Sequence, residues 1–81
     1  MAIAFKVIGQ VQKVVDPKGR ERGFGVLLEL YFPDGQTRQY RYTGRRKKDV
    51  ITDMHNGKMA RWINCARLDE RGNLVFEIQL Y

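Results

Sequence analysis

The chain has 81 residues, fifteen Lys and Arg against nine Asp and Glu, a net charge of +6, and only one Cys and one His. That length supports one hydrophobic core, read as a single domain over residues 1–81, and a lone Cys and a lone His exclude an internal disulfide or a structural zinc site as a staple. No stretch approaches the roughly 18 apolar residues of a membrane span, and Met1 to Lys6 lacks the pattern of a secretory leader; a cytoplasmic protein without membrane contact is expected, with a homodimer or higher oligomer left open.

Ile3 to Val15 alternates Ile3, Phe5, Val7, Gly9 and Val11 against a mostly polar face, which predicts a half-buried strand with a bulge or bend at Gly9. Asp16 to Gly23 breaks the pattern with one Pro, two Gly and three cations and reads as a loop, suited to act as an arm closing over a ligand. Phe24 to Phe32 is the clearest strand, with Phe24, Val26, Leu28, Leu30 and Phe32 on one side. Pro33-Asp34-Gly35 is turn chemistry, so a hairpin leads into Gln36 to Thr43, which places Arg38, Tyr40 and Tyr42 opposite Thr37, Gln39 and Arg41.

Val50, Ile51 and Met54 fit one stripe of a helix of about ten residues that stops at Asn56-Gly57. Lys58 to Leu68 reads as a strand with imperfect alternation, since Arg61 shares a face with Met59, Ile63 and Cys65. Asp69 to Asn73 is a polar turn, and Leu74 to Tyr81 alternates again as a last strand. Three strands, a helix and two strands predict an all-β fold with one short helix: a five-stranded OB-fold Greek-key barrel with the helix between strands three and four. An SH3-like barrel does not normally place ten helical residues there.

Catalytic and metal-binding patterns are missing from the sequence, and neither a cofactor nor a small-molecule substrate is expected. Asp49 and Asp53 stand at i, i+4 beside Lys47 and Lys48 and read as surface charge partners. His55 suits a helix C-terminus, and Cys65 reads as a small apolar core residue in a strand. Gly23-Phe24-Gly25 opens a strand, not the helix a phosphate loop requires.

Sequence-tolerant binding of a single nucleic-acid strand needs cations that track phosphates and flat side chains on which bases stack. Between Arg38 and Lys48 the chain has six cations and no acid before Asp49, interleaved with Tyr40 and Tyr42. Those two tyrosines share a face and either fill the core or stack bases. Arg45 to Lys48 sit where a helix should start, against its dipole, so helix stability does not explain them. Lys18, Arg20 and Arg22 add charge in the first loop, and Trp62, beside Arg61, is either core or a stacking platform.

The run Gln39-Tyr40-Arg41-Tyr42-Thr43-Gly44-Arg45-Arg46-Lys47-Lys48-Asp49-Val50-Ile51 resembles the third strand, closing Gly and helix start of the single-stranded DNA-binding protein (SSB) type of OB domain, which includes short members such as primosomal replication protein n. Asn56-Gly57-Lys58-Met59 and Gly9-Gln10-Val11 extend the likeness over most of the chain. The resemblance implies a non-catalytic oligonucleotide-binding module, commonly a dimer or larger, with a groove over strands two and three bounded by the first loop and the strand four to five turn. The residues that fit such a groove are Lys18, Arg20, Arg22, Arg38, Arg41, Arg45, Arg46, Arg61, Trp62 and Arg71. By the same likeness Tyr40 and Tyr42 occupy inward positions, Thr43 stands where an aromatic residue would help stack bases, and no acidic tail for recruiting partners is expected after Tyr81. Single-stranded nucleic acid, DNA before RNA, is therefore the expected partner; the alternative is a small β-barrel interaction or assembly module that binds an acidic protein through exposed strand edges.

Overall fold

A computed structural model describes residues 3–77. Its first two strands, β1 (Ala4–Val7) and β2 (Gln12–Val15), both pair antiparallel with β3 (Glu21–Tyr31), β1 along one half and β2 along the other. They are one strand broken at Ile8–Val11, where the bend expected at Gly9 falls, and the Ile8 N–H still donates to the Leu27 carbonyl at 3.0 Å. The other edge of β3 is taken by β4 (Thr37–Gly44), in register from Phe24 opposite Gly44 to Tyr31 opposite Thr37.

Alternation then sorts the side chains. Val26, Leu28, Leu30 and Phe32 point inward together with Tyr42, while Leu27, Glu29, Arg41 and Thr43 point out. The helix α1 (Lys47–His55) contributes Val50 to the core and ends at Asn56, followed by Gly57 at φ 83°. Ile51 and Met54, expected on its buried stripe, are 37 % and 36 % exposed; only Val50 faces fully inward.

The segment read as a fourth strand is where sequence and structure part. Lys58–Ile63 forms a second helix, α2, and only Ala66–Leu68 is strand, β5, paired with β6 (Leu74–Phe76) as a separate two-stranded sheet. The reason lies in Arg61. A strand would turn it to the same side as Met59 and Ile63, whereas helical spacing buries Met59 and Ile63 four apart and leaves Arg61 in solvent, avoiding the cost of an unpaired buried charge. The fold is thus mostly antiparallel β with two helices rather than one, and not a closed five-stranded barrel: among the described residues β4 pairs with β3 alone. Of the last predicted strand, Leu74–Phe76 is strand, and Ile78, Leu80 and Tyr81 lie outside the described residues.

Three hairpins share one turn. In Asp16–Arg20, Phe32–Gln36 and Asp69–Asn73 the first N–H donates to the fifth carbonyl, the fourth N–H donates back to the first carbonyl, and the fourth residue is a Gly at φ 81°, 91° and 81°. The first loop is therefore as tight as the other two and not a flexible arm. Asp16 fixes it further, its Oδ1 accepting the N–H groups of Lys18 and Arg20 at 2.9 and 2.8 Å. Asp69 does the same for Arg71 and Asn73, and these donors hold its carboxyl below the usual carboxylate range. Among the described residues no helix is long and apolar enough to cross a membrane.

Candidate nucleic-acid interface

On the outer face of the sheet, Arg41 of β4 stands opposite Leu27 of β3. Its stem crosses Gly25: a Cβ there would lie 2.9 Å from Arg41 Cγ and 3.0 Å from both Arg41 Cδ and Val14 Cγ2. The missing side chain is what lets the arginine lie along the sheet. A cleft of about 280 Å³ beside it is lined by Gln10, Gln12 and Lys13 as well as Arg41 and Gly25. Lys13 is paired with Glu21 at 3.2 Å; Arg41 has no carboxylate partner among the described residues.

One end of this face gathers five of the expected site residues. Gly23 stands at φ 97°, and a Cβ on it would lie 2.4 Å from the Gly44 carbonyl oxygen, so the start of β3 and the end of β4 are in close backbone contact. That contact places Arg22 of β3, and the adjoining turn bearing Lys18 and Arg20, at the same end of the sheet as Arg45 and Arg46. Arg22 is held by Asp16 (3.0 Å) and Arg46 by Asp49 (3.0 Å), while Lys18, Arg20 and Arg45 have no carboxylate partner among the described residues. The Arg46 guanidinium keeps the Asp49 carboxyl below its ordinary range. Asp49 thus pairs with Arg46, not with Lys47 or Lys48, and cancels part of the charge at the start of α1.

Arg38 and Arg71 sit apart from this cluster. Arg38 is on the inward side of β4, half-buried, and its guanidinium donates to the carbonyls of Thr37 (2.7 Å) and Gly72 (3.4 Å) and to Gln36 Oε1 (3.0 Å). It ties the start of β4 to the β5–β6 turn, which is a structural task. Arg71 is exposed in that turn.

Arg61 and Trp62 belong to α2, across an open groove of about 540 Å³ from the free edge of β4. Trp62 lies parallel to Phe76, 4.6 Å between ring centroids and 10° between planes, and donates its Nε1–H to the Tyr40 hydroxyl at 2.9 Å. Tyr40 also packs on Phe76, at 4.8 Å. Tyr42 is buried and donates its hydroxyl to Asp53 Oδ2 at 2.8 Å; burial first, and the carboxylate second, push its pKa up to about 12. Asp53 is therefore a core-edge acceptor, not a surface ion-pair partner. Cys65, expected inside a strand, lies between α2 and β5, half-buried at the groove, its thiol donating to the Arg61 carbonyl at 3.4 Å.

Lys58 also lines this groove and was not among the expected residues; helical spacing, three and four positions before Arg61 and Trp62, is the signal that brings it there. Among the described residues no three His, Cys, Asp or Glu side chains assemble into a metal-binding group. No protein-family model, curated protein or solved structure matches the chain.

Proposed function

We propose that the chain binds single-stranded nucleic acid, DNA in preference to RNA, with little regard to sequence and without catalysis. The surface is the outer face of β3 and β4, leading to the cations around Gly44. The observation that carries the reading is Arg41, laid across Gly25 without a carboxylate partner among the described residues, between a cleft lined in part by Gln10 and Gln12 and an end bearing Lys18, Arg20 and Arg45 in the same state. Unneutralised guanidinium and ammonium groups are what a phosphate backbone recognises, and Glu29, which also points out from β3, lies opposite Gln39, toward the end of the sheet away from Arg45.

The finer architectural reading, an OB-related module of the SSB type, rests on element order: a bent first strand, two long antiparallel strands, a helical segment and a closing hairpin. The Asp16–Arg20 turn lies near the end of β4 and the Asp69–Asn73 turn touches its start through Arg38, so the two turns flank the strand as the groove of such a module requires.

The test is a titration of the protein into labelled oligo-dT, and into a duplex of equal length, at several salt concentrations. Single-strand binding whose log affinity falls with log salt at a slope of about −2 to −3, as for three or four neutralised phosphates, is expected. No binding to either at low salt overturns the proposal.

A second reading, a protein-interaction module for an acidic partner, is favoured by the free edge of β4, which can accept an extended strand from another chain or another copy. A poly-glutamate peptide that displaces oligo-dT at equal charge supports it; indifference to the peptide sets it aside.

A further inference from the structure

The groove between β4 and α2 is outside the face just described but continuous with it: Thr43 lies two residues from Arg41 on the outward side of β4 and also lines the groove. The groove has an apolar wall and a basic rim. Trp62 forms the wall, one ring face covered by the parallel Phe76 and its Nε1–H donated to Tyr40, so two contacts orient the indole. Phe76 takes only one side of the ring. Trp62 is half-buried and borders the groove, so part of the ring is left to a ligand. Lys58 and Arg61, exposed on the same helix, have no carboxylate partner among the described residues. A flat apolar surface with two cations on the same groove, neither paired to a carboxylate among the described residues, has the character of a site for a planar ring carried on an anionic chain.

We propose that this groove takes one unstacked nucleobase of the bound strand on the open face of Trp62, with Lys58 and Arg61 meeting the flanking phosphates. The inference rests on single-strand binding as proposed above. It adds that the strand crosses the free edge of β4 at Thr43 and that one base leaves the outer face there. Base stacking on an aromatic side chain is sequence-tolerant, because every base has a π-face.

Trp62 is the only tryptophan, so its emission reports this groove alone. The experiment follows two signals at once, anisotropy of end-labelled strand and Trp62 fluorescence, for oligo-dT and for an abasic deoxyribose-phosphate strand of equal length. Oligo-dT should quench Trp62 on binding, and the abasic strand should bind about tenfold more weakly and leave the emission unchanged. Trp62→Leu should lower oligo-dT affinity by about the same factor and abasic affinity hardly at all. Because that substitution also removes a ring packed on Phe76, Lys58→Glu with Arg61→Glu serves as the exposed-site variant, expected to weaken both strands and abolish quenching. Anisotropy that rises normally with unquenched Trp62, or equal affinity for both strands, overturns the groove while leaving single-strand binding intact. No anisotropy change with either strand overturns both.

Discussion

Trp62 and Tyr40, 22 positions apart in sequence, are joined by a hydrogen bond from the indole Nε1–H to the tyrosine hydroxyl at 2.9 Å, and both rings rest on Phe76. One aromatic cluster therefore connects α2, β4 and β6, three elements that share no backbone pairing. Tyr40 and Trp62 of this cluster also line the groove.

Tyr40→Phe keeps the ring on Phe76 and removes only the acceptor for Trp62. A half-buried donor left without its partner should cost about 1 kcal/mol. Urea unfolding followed by circular dichroism should show a lower midpoint with unchanged slope, and Trp62 emission should shift to the red as its N–H turns to water. A variant matching the parent in midpoint and emission would show that the bond contributes nothing.

Tyr42 makes stability depend on alkaline pH. Its pKa is about 12 in the folded chain against 10.0 for an ordinary tyrosine, so its neutral form is favoured by folding. The contribution is complete below pH 10 and is lost as pH rises from 10 toward 12, where the unfolded chain ionises first. The loss across that window is on the order of 2 kcal/mol. Unfolding free energies measured at intervals across that window should fall steeply for the parent and much less for Tyr42→Phe. The variant should itself be about 1 kcal/mol less stable at neutral pH, because Asp53 loses a donor.

Gly19 and Gly23 separate conformational strain from crowding. Both have positive φ, 81° and 97°, but a Cβ at Gly19 meets nothing within 4 Å, whereas one at Gly23 would overlap the Gly44 carbonyl oxygen at 2.4 Å. Gly19→Ala should cost about 1 kcal/mol from the left-handed backbone alone, and Gly23→Ala about 3 kcal/mol or more, since the backbone of β4 cannot yield without breaking the ladder. Denaturant midpoints of the two variants decide it; equal losses would mean that the β3–β4 contact is not tight.

Much of the sheet is legible in the sequence. The alternation from Phe24 to Phe32, the Pro33-Asp34-Gly35 turn and the break at Gly9 each carry a local signal that the tertiary structure keeps. The segment after Gly57 is different. Met59, Trp62 and Ile63 are three and four apart, which is helical spacing, but the run is only six residues long and contains two residue types that strands also favour. What decides it is Arg61, whose charge has to reach water. The site is legible in its cations and less so in their grouping: Arg20 and Arg45, 25 positions apart, come to one end through a glycine contact, and Arg38 turns inward as a clamp because β4 alternates. The pairing of Trp62 with Tyr40 follows from the helix, so reading α2 as a strand hid both the groove and Lys58.

Gly25 and Arg41 test whether the outer face depends on how the arginine lies. Arg41→Ala should weaken oligo-dT binding and make the slope of log affinity against log salt shallower by about 0.7, the share of one phosphate on a single strand. Gly25→Ala changes no charge, yet its Cβ would lie 2.9 Å from Arg41 Cγ and 3.0 Å from Val14 Cγ2, so the stem has to lift from the sheet. Its affinity should fall toward that of Arg41→Ala. The double variant should bind no worse than Arg41→Ala alone, because the glycine acts only through the side chain already removed. Affinities from anisotropy at fixed salt, with urea midpoints to confirm folding, complete the cycle. Strictly additive losses would mean that Gly25 serves the sheet and not the placement of Arg41.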